Sequence, residues 1–180
     1  MNERKHILIC GEVGAGKSTL ISRLLAQNTR PVYGFVTKRL EAEENGFHPI
    51  YIHPAGAKKR IWSEENLVGT CDRKTHNINL AVFNTLGVEY LQARPGGVIV
   101  MDELGFMESA AGPFVGAVFR ALDGNVPVIA AVKARFDVDF LNRVRAHENC
   151  ELYEITKENR EELFQKLLPV IRAWSVDAGA

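Results

Sequence analysis

Short apolar runs alternate along the chain with longer stretches in which apolar residues recur every three or four positions. Ile7 to Cys10 is an unbroken apolar run closed by Gly11, which suits a strand buried on both faces. From Ser18 to Ala26, Leu20, Ile21, Leu24 and Leu25 have helical spacing, and Asn28 and Pro31 stop that helix. Tyr33 to Leu40, Pro49 to His53 and Arg60 to Trp62 read as strands, separated by the turn-rich segments Glu43-Glu44-Asn45-Gly46 and Pro54-Ala55-Gly56. They predict an antiparallel hairpin or three-stranded meander inserted around residues 33–62. Asn79 to Gln92 carries one apolar helical face, closed by Arg94-Pro95-Gly96-Gly97.

The second half continues the alternation. Val98 to Met101 predicts a buried strand, Phe114 to Leu122 an amphipathic helix and Val126 to Val132 another strand. Asp137 to His147 reads as a short helix capped by Asp137, and Glu151 to Ile155 as a last strand. Thr156 then caps a helix from Lys157 to about Trp174, which Pro169 is expected to kink or end. Strands joined by helical crossovers predict an α/β domain with a mostly parallel sheet.

Composition narrows the function more than the fold. With 180 residues, 46% of them hydrophobic, the chain is expected to form one domain over residues 1–180. Folding would bury about 70% of the surface its unfolded chain exposes. Lys plus Arg and Asp plus Glu are 22 each, giving zero net charge, so neither stable nucleic-acid binding nor attachment to an anionic membrane is expected from bulk charge. The basic residues before Ile7 are followed by too few apolar residues for a signal-peptide core. Cys10, Cys71 and Cys150 are odd in number and widely spaced, with no C-x-x-C pair, and a reducing cytoplasm is the expected location. No feature of the sequence names a protein partner.

Affinity for phosphate is local. Gly11-Glu12-Val13-Gly14-Ala15-Gly16-Lys17-Ser18 fits G-x-x-x-x-G-K-[ST] and lies between an apolar strand and a helix, where the motif requires it. A phosphate needs several backbone N–H donors converging on it, and Gly11, Gly14 and Gly16 permit the tight curl that brings them together. The helix beginning near Lys17 points its free N–H groups at the same place. Lys17 adds a charge for the terminal phosphates, and the Ser18 hydroxyl is a hard ligand for Mg²⁺. By composition alone the pattern arises in on the order of one chain in a hundred, so a plain glycine-rich turn is the weaker reading.

A second signal is Val98-Ile99-Val100-Met101-Asp102-Glu103, an acidic pair at the end of a buried strand. Ligands of open α/β sheets bind at such strand ends, where Asp102 can hold the Mg²⁺ of a nucleotide. Glu103 is the candidate base that orients and deprotonates an attacking water. Phosphoryl transfer also calls for positive charge on the transition state, and Arg135, Arg143, Arg145 and Arg160 are the candidates. The five histidines show no metal-ligand spacing.

These residues resemble a known family. Gly11 to Ser18, Gly34-Phe35-Val36-Thr37, Asn45-Gly46-Phe47, Asp102-Glu103-Leu104-Gly105-Phe106-Met107-Glu108 and Ile155-Thr156-Lys157-Glu158-Asn159-Arg160 occur in the order and spacing of the small cancer-related and thermophile nucleoside-triphosphatases. The resemblance runs from about residue 6 to residue 168. It implies a three-layer P-loop fold with a RecA-like sheet and an inserted hairpin, and slow Mg²⁺-dependent hydrolysis of several nucleoside triphosphates. By position it implies phosphate binding by Gly16, Lys17, Ser18 and Thr19, metal binding by Asp102 and catalysis by Glu103. Together with the loop motif itself, nucleotide binding is expected from Gly11, Glu12, Val13, Gly14, Ala15, Gly16, Lys17, Ser18 and Thr19, metal binding from Ser18 as well as Asp102, and catalysis from Lys17 as well as Glu103. Asn159 and Arg160 match the family's motif and are expected near the base or phosphates.

The chain also departs from that pattern. Glu12-Val13 replaces a Pro-Pro or similar pair, and an acidic residue there repels phosphate unless it points away. Phe106 stands where the family has lysine, and Glu41 and Glu44 lie near sites usually held by arginines. Two alternatives therefore accompany hydrolysis: kinase-type transfer to a small molecule, and a nucleotide-responsive binding module using the hairpin or the Phe106 to Phe119 region. No N-K-x-D element for reading guanine is visible.

Overall fold

Alternate residues of the central strands point into two separate cores. Ile7 and Ile9 of β1 (His6–Gly11) lie in one and Leu8 in the other. The same division recurs in β6 (Val98–Leu104) and β7 (Val128–Lys133), where Val98, Val100, Ile129 and Ala131 share the first core and Ile99, Met101, Val128, Ala130 and Val132 the second. These are buried parallel strands, and helices cover both faces. The computed structural model describes residues 5–135 and 137–176, so Met1 to Arg4, part of the segment tested above for a targeting signal, lie outside the described residues.

With β2 (Val32–Arg39), β3 (His48–Pro54), β4 (Leu67–Cys71), β5 (His76–Ile78) and β8 (Cys150–Glu154), the sheet has the order β5-β4-β3-β2-β6-β7-β1-β8. Strands β2, β6, β7, β1 and β8 are parallel, whereas β3, β4 and β5 extend the sheet in antiparallel fashion. The first core is closed by Leu20, Ile21 and Leu24 of α1 (Lys17–Leu25) and by Leu163, Leu167, Ile171 and Trp174 of α6 (Arg160–Val176). The second is closed by α2 (Leu80–Val82), α3 (Val88–Tyr90), α4 (Gly112–Asp123) and α5 (Asp139–Arg145). Phe114 of α4 is fully buried, with Phe35 and Phe83 at ring-centroid distances of 5.4 and 5.3 Å. Truncating it to alanine would cost about 3–5 kcal/mol.

Four expectations are corrected. Arg60 to Trp62 is not a strand: Ile61 is 73% exposed, and Trp62 packs as a loop residue against Tyr51 and His53. The antiparallel extension is built from β4 and β5 instead. The helix expected over Asn79 to Gln92 carries a π turn at Phe83–Gly87 between α2 and α3, which lays the Gly87 backbone against the Phe114 ring, where a Cβ would stand 2.6 Å from a ring carbon. Asp137 does not cap α5, which starts at Asp139; its carboxylate accepts from Asn142 Nδ2 at 2.6 Å. Pro169 does not end α6, which runs on to Val176, because it lies on the exposed face, where water can satisfy the carbonyl it frees, while Leu167 and Ile171 keep the inner face packed. Thr156 sits ahead of α6 in a turn closed by reciprocal bonds: Asn159 Oδ1 accepts from Thr156 N (2.8 Å) and Thr156 Oγ1 from Asn159 N (3.3 Å).

Buried His6 serves this frame. Its Nδ1 accepts from Val128 N at 3.1 Å and its Nε2 faces Leu122 O at 2.9 Å, which sets the ring as a neutral clamp, and burial lowers its pKa.

Candidate active site

The segment Gly11 to Lys17 forms a loop between β1 and α1. Gly14 and Gly16 have φ of 78° and 104°, the left-handed region that glycine adopts without steric cost. A Cβ on Gly11 would lie 2.6 Å from Ile155 O, so the loop can start this close to β8 only with glycine. Arg160, the first residue of α6, donates from Nε to Ala15 O (2.6 Å) and from Nη2 to Gly14 O (2.9 Å). These two bonds brace the loop from α6, and a loop held in one shape can offer its N–H groups to an anion without a further ordering cost.

Val13, Gly14, Gly16, Lys17, Ser18, Thr19, Glu103 and Arg160 line one cleft of about 430 Å³. Lys17, although 7% exposed, donates from Nζ to Gly11 O (2.7 Å) and lies 3.4 Å from Glu103 Oε2. Ser18 Oγ donates to Asp102 Oδ1 at 2.8 Å. Strand β7 intervenes between β1 and β6, so loop and acidic pair are separated by about 10 Å of sheet, and the Lys17 and Ser18 side chains bridge the gap.

Asp102 is 6% exposed, and burial raises its carboxyl pKa against the opposing bond from Ser18. A buried carboxylate beside a hydroxyl is a hard oxygen donor pair, which fits Mg²⁺, and the cation would offset the cost of burying the charge. Between Asp102 and Leu104 the register with β7 slips, so Glu103 is an extra residue there. Such a bulge re-aims a side chain, and Glu103 turns toward the cleft at 26% exposure. Thr37 fixes the same backbone: its Oγ1 donates to Asp102 O and accepts from Glu103 N, each at 3.4 Å.

Asn159 is spent on the turn, where its Nδ2 also donates to Glu154 O at 2.9 Å, and its contribution is to deliver Arg160 to the loop. Of the other arginines, Arg145 donates to the Lys133 carbonyl, Arg143 pairs with Asp139 at 3.6 Å, and Arg135 lies 2.9 Å from Glu12. Sequence reasoning missed Lys133, which ends β7 with Nζ 3.5 Å from Glu103 Oε1. It also missed Thr37 and Glu108. Glu108 is 4% exposed and accepts from Gly105 N at 2.5 Å; burial pushes its carboxyl up to about 7, against that N–H bond. The quoted motifs contained both Thr37 and Glu108, and the signal available was their place beside Gly34 and Asp102.

A sequence profile of the NTPase family matches residues 6–168. The chain belongs to that family. It is 30% identical over 180 residues to the nucleoside-triphosphatase THEP1 of Methanocaldococcus jannaschii, across 93% of this chain and 98% of that one. It is 28% identical over 172 residues to its counterpart from Thermotoga petrophila, across 92% of each. The crystal structure of THEP1 from the hyperthermophile Aquifex aeolicus matches with a TM-score of 0.72 at 25% identity, over 92% of this chain and 98% of that chain. The solution structure of a human cancer-related nucleoside triphosphatase shares the fold, with a TM-score of 0.64 at 22% identity over 94% and 98%. The three-layer, mostly parallel architecture is thus the P-loop fold of the NTPase family.

Two departures from the NTPase pattern are answered by geometry. Glu12, 58% exposed, is drawn aside by Arg135, so its charge is compensated at the rim. Phe106 carries no charge itself, but Lys133 Nζ lies 5.7 Å from its ring centre and brings a cation from another strand. Glu41 and Glu44 are exposed between β2 and β3.

Proposed function

We propose that this NTPase-family protein hydrolyses nucleoside triphosphates to the diphosphate and phosphate with Mg²⁺, and that Glu103 handles the attacking water. The observation that carries the reading is the position of Glu103 at the edge of the loop cleft, 3.4 Å from Lys17 and 3.5 Å from Lys133. The loop N–H groups and the start of α1 bind the phosphates, with Lys17 reaching the terminal pair. Ser18 and Asp102 would hold Mg²⁺, which when bound neutralises charge on the phosphate oxygens. Glu103 accepts a hydrogen bond from water, orients it toward the terminal phosphorus and takes its proton. Lys133 and Lys17 flank this carboxylate, and Lys133 adds positive charge where the transition state spreads its negative charge. ATP and GTP are both expected substrates, since no guanine-reading element is present in the sequence. A cytoplasmic setting suits Cys10, Cys71 and Cys150, none of which is in a disulfide. Among the described residues no helix is long and apolar enough to cross a membrane.

The test is phosphate release from ATP and GTP with Mg²⁺ by wild type, Lys17→Ala and Glu103→Gln. Both variants should lose about 10²-fold or more in turnover. Equal rates in the three proteins contradict the reading.

A further inference from the structure

Past Glu103 the cleft continues into a second cavity of about 370 Å³, bounded by the antiparallel half of the sheet. Ile50 of β3, Val68 of β4, Phe83 of the π turn and Phe106 and Met107 after β6 provide apolar walls. Glu103 and Val13 also line the loop cleft, whereas Arg39 and Asp72 also line an outer hollow with Arg73 and Lys74. The cavity therefore has a phosphate end and an outer end. At the outer end Asp72 Oδ1 accepts from Lys74 N (2.7 Å) and Thr75 N (2.5 Å), and the three cations Arg39, Arg73 and Lys74 outnumber that one carboxylate. His76 stands edge-on to Phe106 at 4.8 Å and closes the side.

Hydrolysis does not call for this space. A water molecule occupies about 30 Å³, whereas this cavity has about 370 Å³ and sets its apolar walls between polar groups at either end, with Thr37, Glu108 and Lys133 beside Glu103, a combination that suits a small polar molecule with an apolar body. Lys17 lies 3.4 Å from Glu103, so with Lys17 on the terminal phosphates, as the nucleotide reading has it, the cavity would open on the terminal phosphoryl group, the side a nucleophile approaches. We propose that it is an acceptor subsite for a small hydroxylated anion with an apolar body, to which the enzyme transfers that phosphoryl group. This rests on the nucleotide reading above. Arg39 pairs with the anion, and the apolar walls hold the body and displace water. The acceptor oxygen bonds to the terminal phosphorus as the bond to the bridging oxygen breaks. That oxygen leaves with the diphosphate, keeping the electron pair, and the hydroxyl proton passes to Glu103.

Phenyllactate carries the hydroxyl, the anion and the apolar body; hydrocinnamate lacks the hydroxyl, and hydrocinnamyl alcohol lacks the anion. The experiment incubates enzyme, Mg²⁺ and terminally labelled ATP with each compound and reads the ratio of labelled organic phosphate to inorganic phosphate. Phenyllactate should be phosphorylated with a ratio about tenfold or more above the alcohol, and hydrocinnamate should suppress that transfer competitively. Arg39→Ala and Ile50→Phe should each lower the ratio about tenfold, a readout that a loss of folded enzyme leaves unmoved. A wild type that releases phosphate but forms no phosphorylated phenyllactate, or that uses the alcohol equally well, overturns the acceptor site and leaves the hydrolase standing. A wild type that neither binds nor hydrolyses ATP overturns the nucleotide reading and this inference with it.

Discussion

Lys133, the last residue of β7, holds its ammonium 3.5 Å from Glu103 Oε1, on the side of that carboxylate opposite to the Lys17 contact at Oε2. The pair joins neighbouring strands at the point where the β6 register slips, and it sets where the carboxylate points. Lys133→Met should therefore lower kcat about 10²-fold. The KM for ATP should change little, because no loop contact is removed. Steady-state rates with varied ATP separate the two effects, and an unchanged kcat would refute the role.

Arg160 restrains the loop through the carbonyls of Ala15 and Gly14. Arg160→Gln should raise the KM for ATP about tenfold, because loosening the loop makes phosphate binding bear an ordering cost. Isothermal titration with a non-hydrolysable analogue checks this, and unaltered affinity contradicts it.

Glu108 gives a pH signature. Its carboxyl is pushed from an ordinary 4.5 up to about 7, so between those values the folded protein holds a proton that the unfolded chain releases. Stability from the protonated group is complete below the ordinary value and is lost as pH rises through about 7. Glu108→Gln keeps an acceptor for Gly105 N but cannot ionise. Wild type should lose on the order of 3 kcal/mol relative to the variant between pH 4.5 and 8. Urea midpoints at both pH values measure it, and parallel pH curves would show the group to be unperturbed.

Gly34 faces Val100 across the β2–β6 pairing with φ of 95°, and a Cβ there would lie 1.9 Å from Val100 O. Gly34→Ala should destabilise the protein by about 3 kcal/mol or more, or prevent folding. Gly46 also has positive φ, 81°, but its Cβ position is open, so Gly46→Ala should cost only about 1 kcal/mol. Equal urea midpoints for the two variants would remove the steric argument.

Much of this arrangement was legible in the chain. The eight-residue loop motif and the apolar strand before it located the loop cleft, because glycine spacing and a lysine at a helix start mark a strand–loop–helix turn. Asp102 and Glu103 were legible as a strand end. The antiparallel insert was misread, since Arg60-Ile61-Trp62 has strand-like composition without a pairing partner, while His76-Asn77-Ile78 looks polar yet finds β4. Propensity in β-strands depends on such neighbours and is weak without them. Lys133 escaped notice for a related reason: it is one polar residue at the end of a strand, with no local pattern around it, whereas Thr37 lay inside the Gly34 to Thr37 motif and only its contact with the Asp102–Glu103 backbone showed its use.

The sequence by itself determined the alternation of strands and helices, the glycine-rich loop and the acidic pair at a strand end, because these depend on local spacing and backbone chemistry. Only the tertiary structure decided that Lys133 supports Glu103, that Arg135 draws Glu12 aside, and that Asn159 serves a turn while Arg160 braces the loop. The cavity beyond Glu103 is likewise a product of strand order. These contacts join residues far apart in sequence, and sheet topology sets which side chains come within the few ångströms over which charge and hydrogen bonding act.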